Sequence, residues 1–272
     1  MTLTQGTEPA HTREDTNVPH VVTVLNWKGG VGKTRTVRDL ALNFARMGIG
    51  ATAVDLDPQA TLTDLLLPHV DDREPHIGTL LDGQASSGEV IQIAPNTGGR
   101  LAVLPSATGL SDTEAKLTLN PISIFALQGV LEDYPAQLGQ IVLIDTPPSL
   151  GTLTTAALLA SDYLLIPTQP EPASVAGISK VLSYLREIKR QVRRVPKPLG
   201  LIVTMIERNN PHAHVLADLY AAHEKGDGLP VLATIPKRKG EGADADLLRA
   251  YSAAATDLAN LLDVEVTAPE VA

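Results

Sequence analysis

The stretch Val21-Val22-Thr23-Val24-Leu25-Asn26-Trp27-Lys28-Gly29-Gly30-Val31-Gly32-Lys33-Thr34 decides the fold. A short β-branched run ends in a glycine-rich turn, then Lys-Thr, then a helical pattern, which is the layout of a phosphate-binding loop. Gly29, Gly30 and Gly32 admit backbone conformations that a Cβ disfavours, so successive N–H groups can converge on phosphate oxygens. The following helix adds the positive end of its dipole at the same point. In this layout Lys33 reaches the β- and γ-phosphates and the Thr34 hydroxyl completes a Mg²⁺ shell, with Val31 and Arg35 lining the same cradle.

Working outward, apolar strand candidates alternate with helical patterns. The strands are Val21–Leu25, Ala51–Val54, Leu101–Leu104, Ile141–Ile144, Tyr163–Ile166, Leu199–Val203 and Val231–Ile235. The helices are Lys33–Met47, Leu150–Ala160, Ser174–Arg194, Ala213–Glu224 and Asp244–Leu262. Such alternation predicts an α/β fold, a mostly parallel twisted sheet with helices on both faces in three layers. Residues 71–100 are weakly patterned and are expected to run over the surface. The expected organisation is a flexible tail over 1–19, one domain over 20–264 and a flexible tail over 265–272.

Two strand ends carry carboxylates. Asp55-Leu56-Asp57-Pro58 places two acids one residue apart, suited to handling Mg²⁺ or water beside a phosphate. The aliphatic strand Ile141–Ile144 delivers Asp145 to the sheet edge, where a carboxylate can hold Mg²⁺ through water. Thr34, Asp57 and Asp145 are therefore the metal-site candidates.

The chain has 272 residues, is 43% hydrophobic and contains no cysteine, which excludes disulfides, thiolate metal sites and cysteine nucleophiles. No apolar run of membrane-spanning length and no signal sequence is visible, so a cytoplasmic protein is expected. The net charge of −9 argues against a general nucleic-acid binder, but the charge is uneven. Seven basic residues and one acid lie between Lys180 and Lys197, and Lys237-Arg238-Lys239 forms a second cluster. The pair His212 and His214 lacks further ligands and reads as a solvated helix start.

The strict phosphate-loop pattern requires glycine at 27, where this chain has Trp27, and adds a second lysine, Lys28. The form K-G-G-x-G-K-[ST] resembles the ParA/MinD family of partitioning and positioning ATPases. Asp55-x-Asp57-Pro58-Gln59, Asp145-Thr146-Pro147-Pro148 and the run from Leu165 to Glu171 resemble that family's later motifs, in the same order. The resemblance covers roughly residues 20 to 262 and implies a P-loop fold, ATP or ADP with Mg²⁺, and slow ATP hydrolysis. It implies that Lys28 crosses to the partner's nucleotide in an ATP-sandwiched homodimer. It makes Asp57 the water-positioning residue and gives Asp55 a supporting part near the γ-phosphate and metal. Lys28, Lys33 and Asp57 are then the catalytic set, and the loops at Met205 and Pro236 border the adenine.

ParA-like members bind DNA without sequence preference through a basic surface assembled on dimerisation, and act with a ParB-like partner in chromosome or plasmid partitioning over the nucleoid. By that resemblance Lys189, Arg190, Arg193, Arg194, Lys237, Arg238 and Lys239 are DNA-binding candidates, with Lys189/Arg193 and Arg190/Arg194 spaced (i, i+4). MinD-like members instead use a basic amphipathic C-terminal helix on membranes; this chain ends acidic and proline-broken, so no membrane partner is expected. The alternatives are a MinD-like or orphan positioning ATPase with another cargo and a protein-only nucleotide switch without DNA binding. No DNA-binding helix-turn-helix domain is visible ahead of the loop, which favours the short ParA type. Two departures stand out: Arg35 replaces the usual threonine and is expected to pair with Asp39, and Trp27 is expected to pack.

Overall fold

The computed structural model describes residues 18–71, 74–133, 138–207, 212–237 and 243–264. Its centre is an eight-stranded sheet: β1 (His20–Val24), β2 (Ala51–Asp55), β3 (Gln92–Ile93), β4 (Leu101–Leu104), β5 (Ile141–Asp145), β6 (Tyr163–Thr168), β7 (Lys197–Ile206) and β8 (Val231–Pro236). The spatial order is β3-β4-β2-β5-β1-β6-β7-β8, parallel throughout except for the antiparallel edge strand β3. β1 and β5 are mostly aliphatic because both faces are covered, as central parallel strands require.

Alternation along each strand sorts the core into layers. Val22, Val24, Ala51, Ala53, Ile141 and Leu143 face α1 (Lys33–Arg46), α2 (Thr61–Leu66) and α10 (Ala243–Leu261). Val21, Val54, Val142 and Ile144 face the opposite layer, with α3 (Ile77–Leu81), α4 (Ser87–Val90), α5 (Leu110–Leu119), α6 (Ala126–Asp133) and α7 (Thr152–Leu159). That layer continues under β6 and β7 with α8 (Pro172–Gln191) and α9 (Ala213–Glu224). In α1 the buried stripe Val37, Leu40, Ala41 and Phe44 follows helical spacing, and Gly48 at φ +80° ends the run. Each such fully buried side chain contributes about 1.5–3 kcal/mol, which fixes α1 rigidly behind the loop it carries.

Two expectations about elements are corrected, and one stretch without an assigned element proves helical. Residues 71–100 are not a plain surface excursion: their described part holds α3, α4 and β3. These pieces are too short to show periodicity, although Ser86 and Glu89 do form the capping box that their spacing encodes. The stretch 110–133 also folds as α5, a 3-10 turn over Pro121–Phe125, and α6. Finally, the basic helix stops at Gln191, because Val192 turns extended (φ −126°, ψ 151°) ahead of Val195-Pro196.

Candidate nucleotide site

The phosphate loop joins β1 to α1 at the carboxyl edge of the sheet, where ligands of open α/β sheets bind. Gly30 and Gly32 lie at φ +76° and +88°, the left-handed region that the sequence reading requires of this turn. Neighbouring strand ends hold the loop from outside. Asn26 is buried, donates to the Pro167 carbonyl at 2.6 Å and accepts from the Lys28 N–H at 3.0 Å. Gln169 donates to the Gly30 carbonyl at 3.1 Å, and the Thr204 hydroxyl donates to the Val31 carbonyl at 2.8 Å. In a trans peptide the N–H points opposite to the C=O, so these anchors turn the N–H groups of Val31 and Gly32 away from β6 and β7. Helix α1 has Gly32 as its N-cap and no side-chain cap, leaving first-turn donors for an anion.

Asp55 and Asp145 end adjacent parallel strands and are paired in register, both fully buried. Their circumstances differ. Asp55 accepts from the Thr63 N–H at 2.9 Å, the Thr63 hydroxyl at 2.8 Å and the Asp57 N–H at 3.0 Å. Burial pushes its carboxyl up to about 6 despite these donors. Asp55 therefore organises the loop that carries Asp57. Asp57 itself is half-buried and accepts from the Gln59 N–H at 3.0 Å.

Asp145 has both carboxylate oxygens buried without a hydrogen bond of standard geometry. Burial first, and the Asp55 charge second, push it up to about 8; the nearby Thr34 hydroxyl and Lys33 ammonium pull weakly the other way. A buried carboxylate without donors is costly, and a divalent cation is the group whose chemistry answers it. The donor set Asp145, Thr34 and Asp57 therefore fits Mg²⁺. Lys33 is also buried; burial lowers its pKa, opposed by the charges of Asp145 and Asp57. The cation and these carboxylates occupy one neighbourhood.

Lys28 lies at the mouth rather than inside. Its ammonium donates to Glu171 Oε2 at 2.6 Å, Ser174 Oγ at 3.2 Å and Gln169 Oε1 at 3.3 Å. Gln169 also donates to Met205 Sδ at 2.8 Å, tying the loop, Lys28 and Met205 together. Met205 is half-exposed at φ +57°, and the adjacent Ile206 pairs in register with Pro236, so both adenine-side candidates share the rim of the loop. Arg35 pairs with Asp39 at 3.0 Å, and Asp39 also holds Arg38. Trp27 does not pack into the core: it is 43% exposed, with the Lys180 ammonium 2.9 Å from its ring centroid. Its place in an outward-facing loop leaves no core within reach.

The basic candidates separate. Lys189 and Arg190 lie in the last turn of α8 and are exposed, whereas Arg193 and Arg194 follow the helix, so the (i, i+4) pairs are not on one helical face. Arg194 pairs with Asp162, which also accepts from the Val21 N–H at 3.0 Å. These residues lie at the amino edge of the sheet, whereas Lys237 follows β8 at the carboxyl edge and pairs with Glu207 at 2.5 Å. The six-residue β6 alone spans about 20 Å between the two edges. Arg238 and Lys239 lie outside the described residues.

Sequence reasoning missed Thr63, Ser106 and Ser174. Ser106 donates its hydroxyl to the Asp57 carbonyl and its N–H to Thr63 Oγ1, both at 2.8 Å. No local pattern marks these residues: Thr63 meets Asp55 eight positions away across a turn, and Ser106 and Ser174 act through contacts across 43 to 146 positions.

Residues 19–196 match a family described as "AAA domain". The chromosome-partitioning ATPase Soj of Thermus thermophilus is 35% identical over 186 residues, 68% of this chain and 69% of that protein. Protein IncC of Escherichia coli is 31% identical over 205 residues, 74% of this chain; the match spans about half (55%) of IncC's length. Among solved structures, cobyrinic acid a,c-diamide synthase from Mycobacterium smegmatis, with bound ATP analogue and magnesium, superposes with a TM-score of 0.78. It is 29% identical, covering 92% of this chain and 99% of that one. The chain belongs to this AAA-domain family and is an ATPase of the ParA/MinD type.

Proposed function

We propose that this ATPase binds ATP–Mg²⁺ as a monomer, dimerises around two nucleotides, and as a dimer binds duplex DNA without sequence preference. A ParB-like partner stimulates slow hydrolysis, and the cycle partitions chromosomal or plasmid DNA over the nucleoid in the cytoplasm. The working unit is one domain over 20–264. The observation that carries this reading is the position of Lys28: outside the phosphate cradle, partly exposed and paired with the partly exposed Glu171, with its neighbour Trp27 facing solvent. A second lysine placed there, once it leaves Glu171, can serve a nucleotide other than the one its own loop holds.

In this reading Lys33 and the N–H groups of the loop and α1 bind the phosphates, and Asp145, Thr34 and Asp57 hold the ion. Bound magnesium neutralises phosphate charge and orients the triphosphate. Asp57 positions the attacking water from a loop that Asp55, Thr63 and Ser106 hold in place. Lys28 adds a positive charge to the partner's phosphates, supporting charge that grows in the transition state. Met205 and Pro236 flank the base. Lys189 and Arg190 are the leading DNA contacts. Among the described residues no helix is long and apolar enough to cross a membrane.

The test is binding to random-sequence duplex DNA with ATP, ADP or no nucleotide at two salt concentrations. Binding that requires ATP and weakens steeply with salt is expected. Intact ATP binding without DNA binding in any state would move the output to another cargo or to a protein-only switch.

A further inference from the structure

Residues 26, 27 and 28 each meet α8. The Lys28 ammonium lies on Glu171, the N-cap of that helix, and on the buried Ser174. Asn26 Oδ1, which accepts the Lys28 N–H, would lie 2.9 Å from a Cβ at Gly177. The Trp27 ring carries the Lys180 ammonium 2.9 Å from its centroid. Glu171, Ser174, Gly177 and Lys180 stand three residues apart, the oblique row along which a segment crossing a helix meets it. The first residues of the loop thus cross α8 in one continuous contact. Two members of the row are explained by that contact and by nothing else near them. Glycine inside a helix is unfavourable against alanine, and at Gly177 the close approach of Asn26 requires it. Lys180 is exposed and, among the described residues, pairs with no acid; its ammonium rests on the indole instead of in solvent.

We propose that Lys180 is a positioning residue for Lys28: seated on the Trp27 ring, it clamps residues 26–28 to α8 and keeps the Lys28 ammonium on Glu171 and Ser174. This gives Trp27 a task at a position where the strict loop pattern takes glycine. Its ring finds no core, and the lysine one residue on depends on where that ring is held. Asn26 is fixed from the other side by its 2.6 Å bond to the Pro167 carbonyl, so Trp27 is the member of the three that only α8 restrains. A cation over a partly exposed indole shifts an equilibrium about two- to fivefold. Lys28 leaves its own chain's acid more readily by about that factor once the clamp is gone. The inference concerns the resting chain and goes beyond the nucleotide-sandwich reading, so its test needs no dimer.

The test is acetylation of Lys28 in the nucleotide-free full chain by a trace of acetic anhydride. Mass spectrometry reads it against Lys189, which is exposed at the other end of α8. Lys180→Ala should raise Lys28 labelling about two- to fivefold. Lys180→Arg should restore protection, because a guanidinium also stacks on an indole. Trp27→Leu should match Lys180→Ala, and the double change should add nothing further, since both remove one contact. Trp27 is the sole tryptophan, so acrylamide quenching of its emission should rise in Lys180→Ala and return in Lys180→Arg. A circular dichroism melt verifies folding of each variant. Unchanged Lys28 labelling in Lys180→Ala would overturn the clamp. A rise that Lys180→Arg leaves in place would also overturn it, as would single changes whose effects add in full, because each residue would then act on Lys28 separately.

Discussion

The Lys28 ammonium lies 2.6 Å from Glu171 Oε2 of its own chain, with Ser174 and Gln169 completing its surroundings. A lysine that serves a second subunit must first leave these partners. The pair is partly exposed, so holding it contributes about 0.2–1 kcal/mol. Glu171→Ala should therefore lower the protein concentration needed for ATP-dependent dimerisation about two- to fivefold, read by sedimentation. Weaker dimerisation in this variant would mean that Glu171 serves the dimer instead.

Lys33→Ala removes the buried cation between the loop and the two carboxylates. ATP binding should be lost, measured by calorimetry or a fluorescent analogue. Retained micromolar affinity would sink the phosphate-loop assignment.

Asp57→Ala leaves the Asp55–Thr63 anchor in place while removing the carboxylate proposed to position water. Hydrolysis should fall at least about a hundredfold, with ATP binding and dimerisation kept. Normal turnover would refute the water-positioning role.

Asp145 gives a pH signature to the nucleotide-free protein. Its carboxyl is pushed up to about 8 in the fold against an ordinary 3.8, so the folded state binds the proton more tightly than the unfolded chain. Stability then falls as pH rises between those values, and Asp55, pushed up to about 6, adds to the fall over the lower part of that range. The melting temperature without nucleotide should drop from pH 6 to pH 8, and Mg²⁺–ATP should reverse the drop. Asp145→Asn should flatten the profile and raise the pH 8 melting temperature while weakening Mg²⁺-dependent binding. An unchanged profile would show that Asp145 is not a costly buried charge.

Arg194→Ala separates fold from DNA. Its partner Asp162 also anchors the start of β1, so the loss should cost about 1 kcal/mol or less and lower the melting temperature by a few degrees. DNA affinity should fall less than in the double change of Lys189 and Arg190 to Ala. The reverse order would make Arg194 a DNA contact first.

Much of the site was legible along the chain because its motifs are local. Gly30 and Gly32 mark the turn, Lys33 and Thr34 open the helix, and an aliphatic run announces the Asp145 strand. Seven of the eight strands follow from apolar runs; β3, two residues long, offers no periodicity to read. The end of the basic helix was misplaced because a run of charged residues continues past Gln191 while the backbone does not.

The sequence by itself determined the phosphate loop, the alternation of strands and helices, and the family, since each depends on residues within one turn or one strand. Only the tertiary structure decided how the pieces meet. It set Asp55 beside Asp145 in register, occupied Asp55 with Thr63 and left Asp145 without a hydrogen bond of standard geometry. It folded Lys28 back onto Glu171, drew Gln169 from β6 to the Gly30 carbonyl, and split the basic residues between opposite edges of the sheet. The physical reason is that these contacts join positions up to 143 residues apart, and strand order rather than local spacing brings them together.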